Sequence, residues 1–292
     1  MSLVIMVAVM IEPEHKTKWN VLSLGAGVQS SALALMAAKG EIGPMPDFAV
    51  FADTQAEPTE VYEWLDWLEK ELPFPVYRVP KCDLTKDSLK VHERKDGTGE
   101  RENNLIPSFG LLPNGEKVAA IGRKCTADYK IAPIHKKIKE KCGIARGQKE
   151  ITVTQWVGIS LDEIQRMKNS PNKWSQHRWP LVEKRITRAH CIQWMRNNGY
   201  PEPPRSACYY CPFHSDTEWR RLRNNDPKHF HKAILFDYAL RSKHKQHNKR
   251  LEMEIYLHRS CKPLAEVDFD NDEDRGQMTW DFQAECEGMC GI

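Results

Sequence analysis

The sequence predicts an α/β fold with a parallel sheet, and three observations carry that expectation. Apolar stretches short enough for strands, at residues 21–23, 48–51, 76–79 and 151–157, alternate with helix-like stretches at 30–38, 59–70 and 131–141. Such alternation builds βαβ units, whose helices cross over between parallel strands. A glycine- and hydroxyl-rich turn, "GAGVQSS", joins the first strand to the first helix, and the second strand ends in "FADT". Open α/β sheets bind ligands at that carboxyl edge.

Composition sets the frame. A chain of 292 residues with 40% hydrophobic and 28% charged side chains can bury a full core, and its net charge of +3 is too small to imply a polyanionic partner by itself. The opening "MSLVIMVAVMI" has a signal-like apolar run. It lacks a basic segment and a small-residue cleavage site, and Glu12 and Glu14 follow at once. The run is far shorter than the ~20 residues that cross a bilayer. An edge strand, or a start at Met6 or Met10, accounts for it, and the expected location is cytoplasmic with no membrane partner. Nine cysteines without a secretory signal point to thiols, a metal or a cluster rather than a disulfide framework.

Along the chain, Gly25 and Gly27 allow close backbone approach to an anion, and Ser30 and Ser31 add hydroxyls where a helix begins and its partial positive charge is felt. The same turn would also serve as a purely structural one, and without a Lys-Ser/Thr pair it is not the Walker loop. Asp53 ends the second strand, either as a ligand contact or, with Thr54, as a cap on the next helix. After a further strand, "VGISLDEIQR" offers Gly158, Ser160, Glu163 and Arg166 at the same edge. Residues 91–117 are polar and glycine-rich, an excursion tipped by an Asn114-Gly115 turn and expected to form a mobile flap.

Beyond "PEPPRSACYYCPF" the pattern turns helical at 217–225, 228–242 and 248–259, with no further strand expected. These segments are rich in Lys, Arg and His, which would track a phosphate backbone, with Trp194, Tyr209, Tyr210 and Trp219 to stack bases. A solvated helical face with its aromatics turned inward fits the same letters. The last stretch begins acidic, ends "ECEGMCGI" and reads as a poorly ordered tail. Cys208 and Cys211 form a C-x-x-C, two sulfurs able to grip one metal centre or act as a redox pair. Cys125 and Cys191 are the candidates for two more ligands, while Cys82, Cys142 and Cys261 read as small buried hydrophobes.

"SLGAGVQSSAL", "FADTQAEPTEVYEWL", "KCTADYKIAPIHKKI", "GISLDEIQR" and "WPLVEKRITRAHCIQWM" followed by "ACYYCPF" occur in that order. Over residues 18–215 the chain thereby resembles the phosphoadenosine phosphosulfate (PAPS) reductase-like branch of the PP-loop, or adenine nucleotide α-hydrolase, superfamily. The resemblance implies a doubly wound, mainly parallel PP-loop/HUP-like sheet. A basic helical C-terminal extension at 216–270 and a cysteine-bearing tail at 271–292 would follow it. It implies a bound nucleotide, and ATP-using members cleave between the α and β phosphates to adenylate a substrate. Gly25, Ala26, Gly27, Gln29, Ser30 and Ser31 stand at the family's phosphate loop. Gln29 replaces its acid, which removes a carboxylate suited to Mg²⁺.

By the same resemblance Asp53 lies near the nucleotide or Mg²⁺, Gly158 beside the nucleotide, and Glu163 and Arg166 near the α-phosphate. Arg123, Lys124 and Lys130 face phosphates or the incoming substrate. A 4Fe–4S cluster on Cys125, Cys191, Cys208 and Cys211 is implied, as in the related DNA phosphorothioation sulfurtransferases. Thr126 stands where cluster-bearing reductases have the second cysteine of a pair, so Cys191 would supply the missing ligand; zinc or unligated thiols are the alternatives. The tail is similar to the Glu-Cys-Gly-Ile/Leu-His ending of sulfonucleotide reductases. There Cys290 would carry sulfur and Cys286 resolve it.

The expected activity is that of an iron–sulfur, ATP pyrophosphatase-type sulfurtransferase. It would adenylate DNA, RNA or a nucleotide and draw on a cysteine desulfurase or thiol reductant. The alternatives are a sulfonucleotide reductase that uses the C-terminal cysteine, and a non-catalytic nucleic-acid binder with structural zinc.

Overall fold

The computed structural model describes residues 16–93, 100–102, 104–247 and 253–270. The chain runs β1 (Trp19–Leu24), α1 (Val28–Ala38), β2 (Phe48–Asp53), α2 (Thr59–Glu71) and β3 (Val76–Pro80), then the short α3 (Leu84–Ser88). Four short strands follow: β4 (Val91–Glu93), β5 (Glu100–Glu102), β6 (Ser108–Leu111) and β7 (Lys117–Ile121). The remainder comprises α4 (Ala132–Cys142), β8 (Val153–Val157), β9 (Ser175–Arg178), α5 (Pro180–Glu183), α6 (Arg188–Asn197), α7 (Asp216–Asn225), α8 (Pro227–His247) and β10 (Glu254–Tyr256).

Five strands, β1, β2, β3, β8 and β9, form an all-parallel sheet in the order β3-β2-β1-β8-β9. Alternate residues leave its two faces. Leu22, Leu24, Ala49 and Phe51 meet α1, α2 and α6, while Val21, Val50 and Val153 meet Ile134 and Ile138 of α4. Covered on both faces, the inner strands read as near-continuous apolar runs. Helix α1 is buried from residue 28 to 37, and its small side chains let it wedge between the sheet and α6. The chain builds outward from β1 through β2 to β3, then returns to place β8 on the other side of β1. That reversal opens a crevice outside the carboxyl ends of β1 and β8, the switch point where such sheets bind ligands.

Strand β9 was not among the expected strands, because "SQHR" is polar. Only Ser175 and His177 turn inward, as an edge strand allows. The described residues of the excursion at 91–117, which leave out 94–99 and 103, carry strands rather than an irregular flap. β6 and β7 pair around the Asn114-Gly115 turn, where Gly115 has φ 84°, and β6 is the middle strand of a three-stranded sheet β10-β6-β7. Of the helix expected at 248–259, residues 248–252 lie outside the described residues, and the remainder is corrected. Glu254–Tyr256 is strand β10, antiparallel to β6, because Ile255 and Tyr256 bury themselves against a partner already in place.

The C-terminal helices share a core with the middle of the chain. Trp219, Phe236 and Ile255 pack with Leu105, Tyr129 and Tyr210. Tyr209, Tyr210 and Trp219 are buried there, which fits the reading that turned them inward. No helix among the described residues is long and apolar enough to cross a membrane. Residues 271–292, with Cys286 and Cys290, lie outside the described residues.

Candidate functional site

The crevice is walled by the turn after β1 and the segment after β8. Ser30 Oγ closes the turn, accepting from Gly25 N–H at 3.2 Å and donating to Gly27 O at 3.3 Å. Ala26 reverses the chain in the left-handed region at φ 59°, fully buried. Gly27 is extended and lines the cleft, and a Cβ built on it meets nothing within 4 Å. Open space therefore lies beside Gly27, just before the N-terminus of α1, a position that suits an anion. Gly158 has a different reason to be glycine: a Cβ there would lie 2.9 Å from Ser30 Cα. It lets the chain leaving β8 press against the start of α1.

Gln29 is buried at the cleft wall, where its Nε2 donates to Glu163 Oε2 at 3.2 Å and approaches Ser160 Oγ at 3.5 Å. Arg166 Nη1 donates to the same Glu163 oxygen at 2.7 Å. A carboxylate at position 29 would face Glu163 with like charge, so the amide is the matching partner. Leu24, Phe51, Ile134 and Ile159 give the cleft an apolar wall, while Lys130, Arg166 and Arg205 give it cations. An aromatic, polyanionic ligand fits that combination.

A second cavity is lined by the thiols Cys125, Cys208 and Cys211 with Leu84, Ile106 and Phe213. Lys130 lines both cavities. Its position follows from local backbone: Thr126–Ile131 forms a π-helical turn after Cys125, and such i to i+5 turns recur at functional sites. Lys130 Nζ lies 3.7 Å from Oε1 of Glu57, a fully buried carboxylate whose Oε2 accepts from Ser206 Oγ at 3.4 Å. Arg123 sits over the Phe213 ring at 5.5 Å and lines the thiol cavity; Lys124 is exposed and lines neither. Thr54 Oγ1 lies 3.3 Å from Cys208 Sγ and ties the end of β2 to the C-x-x-C.

Like Lys124, the predicted residues Ser31, Asp53 and Cys191 do not line these cavities. Ser31 is fully buried and accepts from the Trp64 indole N–H at 3.0 Å, so its hydroxyl braces α1 against α2. Asp53 Oδ1 accepts from Gln55 N–H at 2.8 Å and from Tyr62 O–H at 2.9 Å; Phe51 and Ala52, not Asp53, line the cleft. Burial, then the Asp53 hydrogen bond, pushes the Tyr62 hydroxyl well above its usual range. Cys191 packs in the core between α1 and α6, away from the cluster that holds Cys125, Cys208 and Cys211. Burial pushes its thiol up to about 12, as expected of an inert core cysteine. Among the described residues no three His, Cys, Asp or Glu stand close enough to grip a single ion.

Sequence reasoning missed Glu57, Arg205 and Ser206. Glu57 carried a signal, an acid beside Pro58 that helix propensity does not need. Arg205 and Ser206 sat in plain view within "PPRSACYYC", where the cysteines drew the attention. Neither a family model nor a curated protein matches the chain. What the fold and site define is an α/β protein with an anion-suited crevice at its sheet's switch point, beside a cavity lined by three cysteines.

Proposed function

We propose that the chain is an ATP-binding enzyme of the PP-loop type that activates a nucleic acid or nucleotide by adenylation for sulfur transfer. The observation that carries this reading is the shared wall: Lys130 lines both the crevice above the Gly25 to Ser30 turn and the cavity of Cys125, Cys208 and Cys211. Backbone N–H groups of the turn and the start of α1 hold the phosphates. Adenine lies on the apolar wall with Phe51. Arg166 and Arg205 are placed to meet charge that develops as the bond between the α and β phosphates breaks. Glu163, held by Gln29 and Arg166, is the acidic group of the cleft and the candidate to face Mg²⁺.

The donor chemistry of the second cavity fits an iron–sulfur cluster. Three thiols line one apolar pocket with Arg123 and Lys130 at its wall, cations that favour thiolate and an anionic cluster. Cys125, Cys208 and Cys211 would hold it, Cys191 lying elsewhere, and when bound it would supply iron able to take up sulfide. Lys130, held by Glu57, keeps a positive charge between the two cavities, where departing phosphate and incoming sulfur both carry negative charge.

The test is incubation of anaerobically prepared protein with ATP labelled on the α-phosphate, with and without single-stranded nucleic acid. AMP and pyrophosphate are expected. Release of ADP, or no turnover with any acceptor, contradicts the reading.

A further inference from the structure

Helix α8 carries an exposed stripe that neither cavity uses. Lys228, His231, Lys232, Leu235, Tyr238 and Lys245 are all exposed and fall on one face at helical spacing. Leu235 and Tyr238, at 55% and 65% exposure, are among the largest exposed apolar side chains of the described residues. The helix has one acid, Asp237, which is buried and accepts from Arg241 Nε at 2.9 Å and from the Leu257 N–H at 3.3 Å. The helix therefore places no carboxylate on this face, and its inner basic residues are spoken for: Lys243 Nζ donates to Ser88 O at 2.7 Å.

The start of α8 also adjoins the route to the crevice. Thr59, which opens α2, donates its N–H to Asp226 Oδ2 at 3.4 Å, and its hydroxyl lies 3.4 Å from His229 Nδ1. Helix α2 in turn walls a groove holding Trp67 and Arg205, and Arg205 lines the crevice as well. The groove's carboxylates are largely engaged: Glu60 and Glu218 pair with Arg221, and Glu202 with Arg196. Glu63 stands exposed.

We infer that the exposed face of α8 is a docking track for a single-stranded nucleic acid, leading through the Trp67 and Arg205 groove toward the crevice. Charge complementarity selects a polyanion. Tyr238 selects a single strand, because an exposed ring within a line of cations offers a stacking platform that a duplex, with its bases paired inward, does not use. This deepens the nucleic-acid acceptor of the proposed function. It is measurable without ATP, so failure of the track and failure of the adenylation chemistry come apart.

The experiment is fluorescence anisotropy of labelled single-stranded DNA and RNA of about 16 nucleotides with the full chain, across a salt series. Binding should weaken steeply with salt. The triple variant Lys228→Glu, Lys232→Glu, Lys245→Glu should flatten the log–log slope by about 2, from three lost contacts at ~0.7 each. Tyr238→Ala should weaken binding about tenfold, with Tyr238→Trp retaining it. The triple variant should keep the parent's affinity for ATP, since its changes lie on a solvated face. An unchanged salt slope in the triple variant, equal affinity for a duplex of the same length, or no binding of either single strand would overturn the inference.

Discussion

Gln29 and Glu163 meet in the crevice wall through one hydrogen bond, 3.2 Å from amide to carboxylate. Gln29→Glu places two carboxylates in contact, with Arg166 left to serve both. Affinity for ATP should fall by about tenfold or more, a cost of ~1.4 kcal/mol, measured by titration calorimetry. An unchanged affinity would mean that the pair does not face the ligand. Gly158 acts by bulk instead. Its missing Cβ is what lets β8 approach α1, so Gly158→Ala forces backbone to move by the 2.9 Å contact with Ser30 Cα. Such overpacking costs about 1–3 kcal/mol, visible as a lowered urea midpoint.

The elements differed in how plainly they were written. Strand β2 was legible because burial on both faces demands an apolar run, β1, β3 and β8 because apolar residues outnumber the polar ones that interrupt them, and α1 because nothing polar interrupts it after Ser31. β9 and β10 were not, since "SQHR" and "EIY" become strands only by pairing with β8 and β6. Motif and edge position singled out Gly25, Gly27, Gln29, Ser30, Glu163 and Arg166, which line the crevice, and Cys125, Cys208 and Cys211, which line the second cavity. Cys191 was misplaced because sequence proximity to Cys208 says nothing about which core a helix faces. Tertiary packing decided that, by turning α6 against α1.

The Ser31 contact belongs to this scale too, for it welds α1 to α2. Trp64→Phe removes the indole donor and leaves Ser31 Oγ buried without it. A loss of about 1–3 kcal/mol in unfolding free energy is expected. Equal stability would show the bond to be dispensable.

For the whole molecule, acid is the sensitive direction. Burial, then the nearby His177 and Lys139, holds the His135 imidazole down at about 4, below its ordinary 6.5, and burial lowers His177 as well. The unfolded chain therefore takes up the proton first. The stability these residues contribute is fully present above about 6.5 and drains away as the pH falls toward 4. At pH 5 the loss from His135 is about 2 kcal/mol, at 1.36 kcal/mol per pH step. Urea midpoints should drop between pH 7 and pH 5, and His135→Gln should flatten that drop. A pH-independent midpoint would remove the buried imidazole from the account.

The claim on which the rest depends is that phosphate occupies the open space beside Gly27. Gly27 is extended at φ −93°, and a Cβ there meets nothing within 4 Å, so Gly27→Val can be accommodated by the fold while filling the ligand's place. The decisive measurement is calorimetric titration of ATP into the parent and into Gly27→Val, paired with their unfolding curves. The account predicts near-equal stability with nucleotide binding lost in the variant; a variant that binds ATP as tightly as the parent would contradict it.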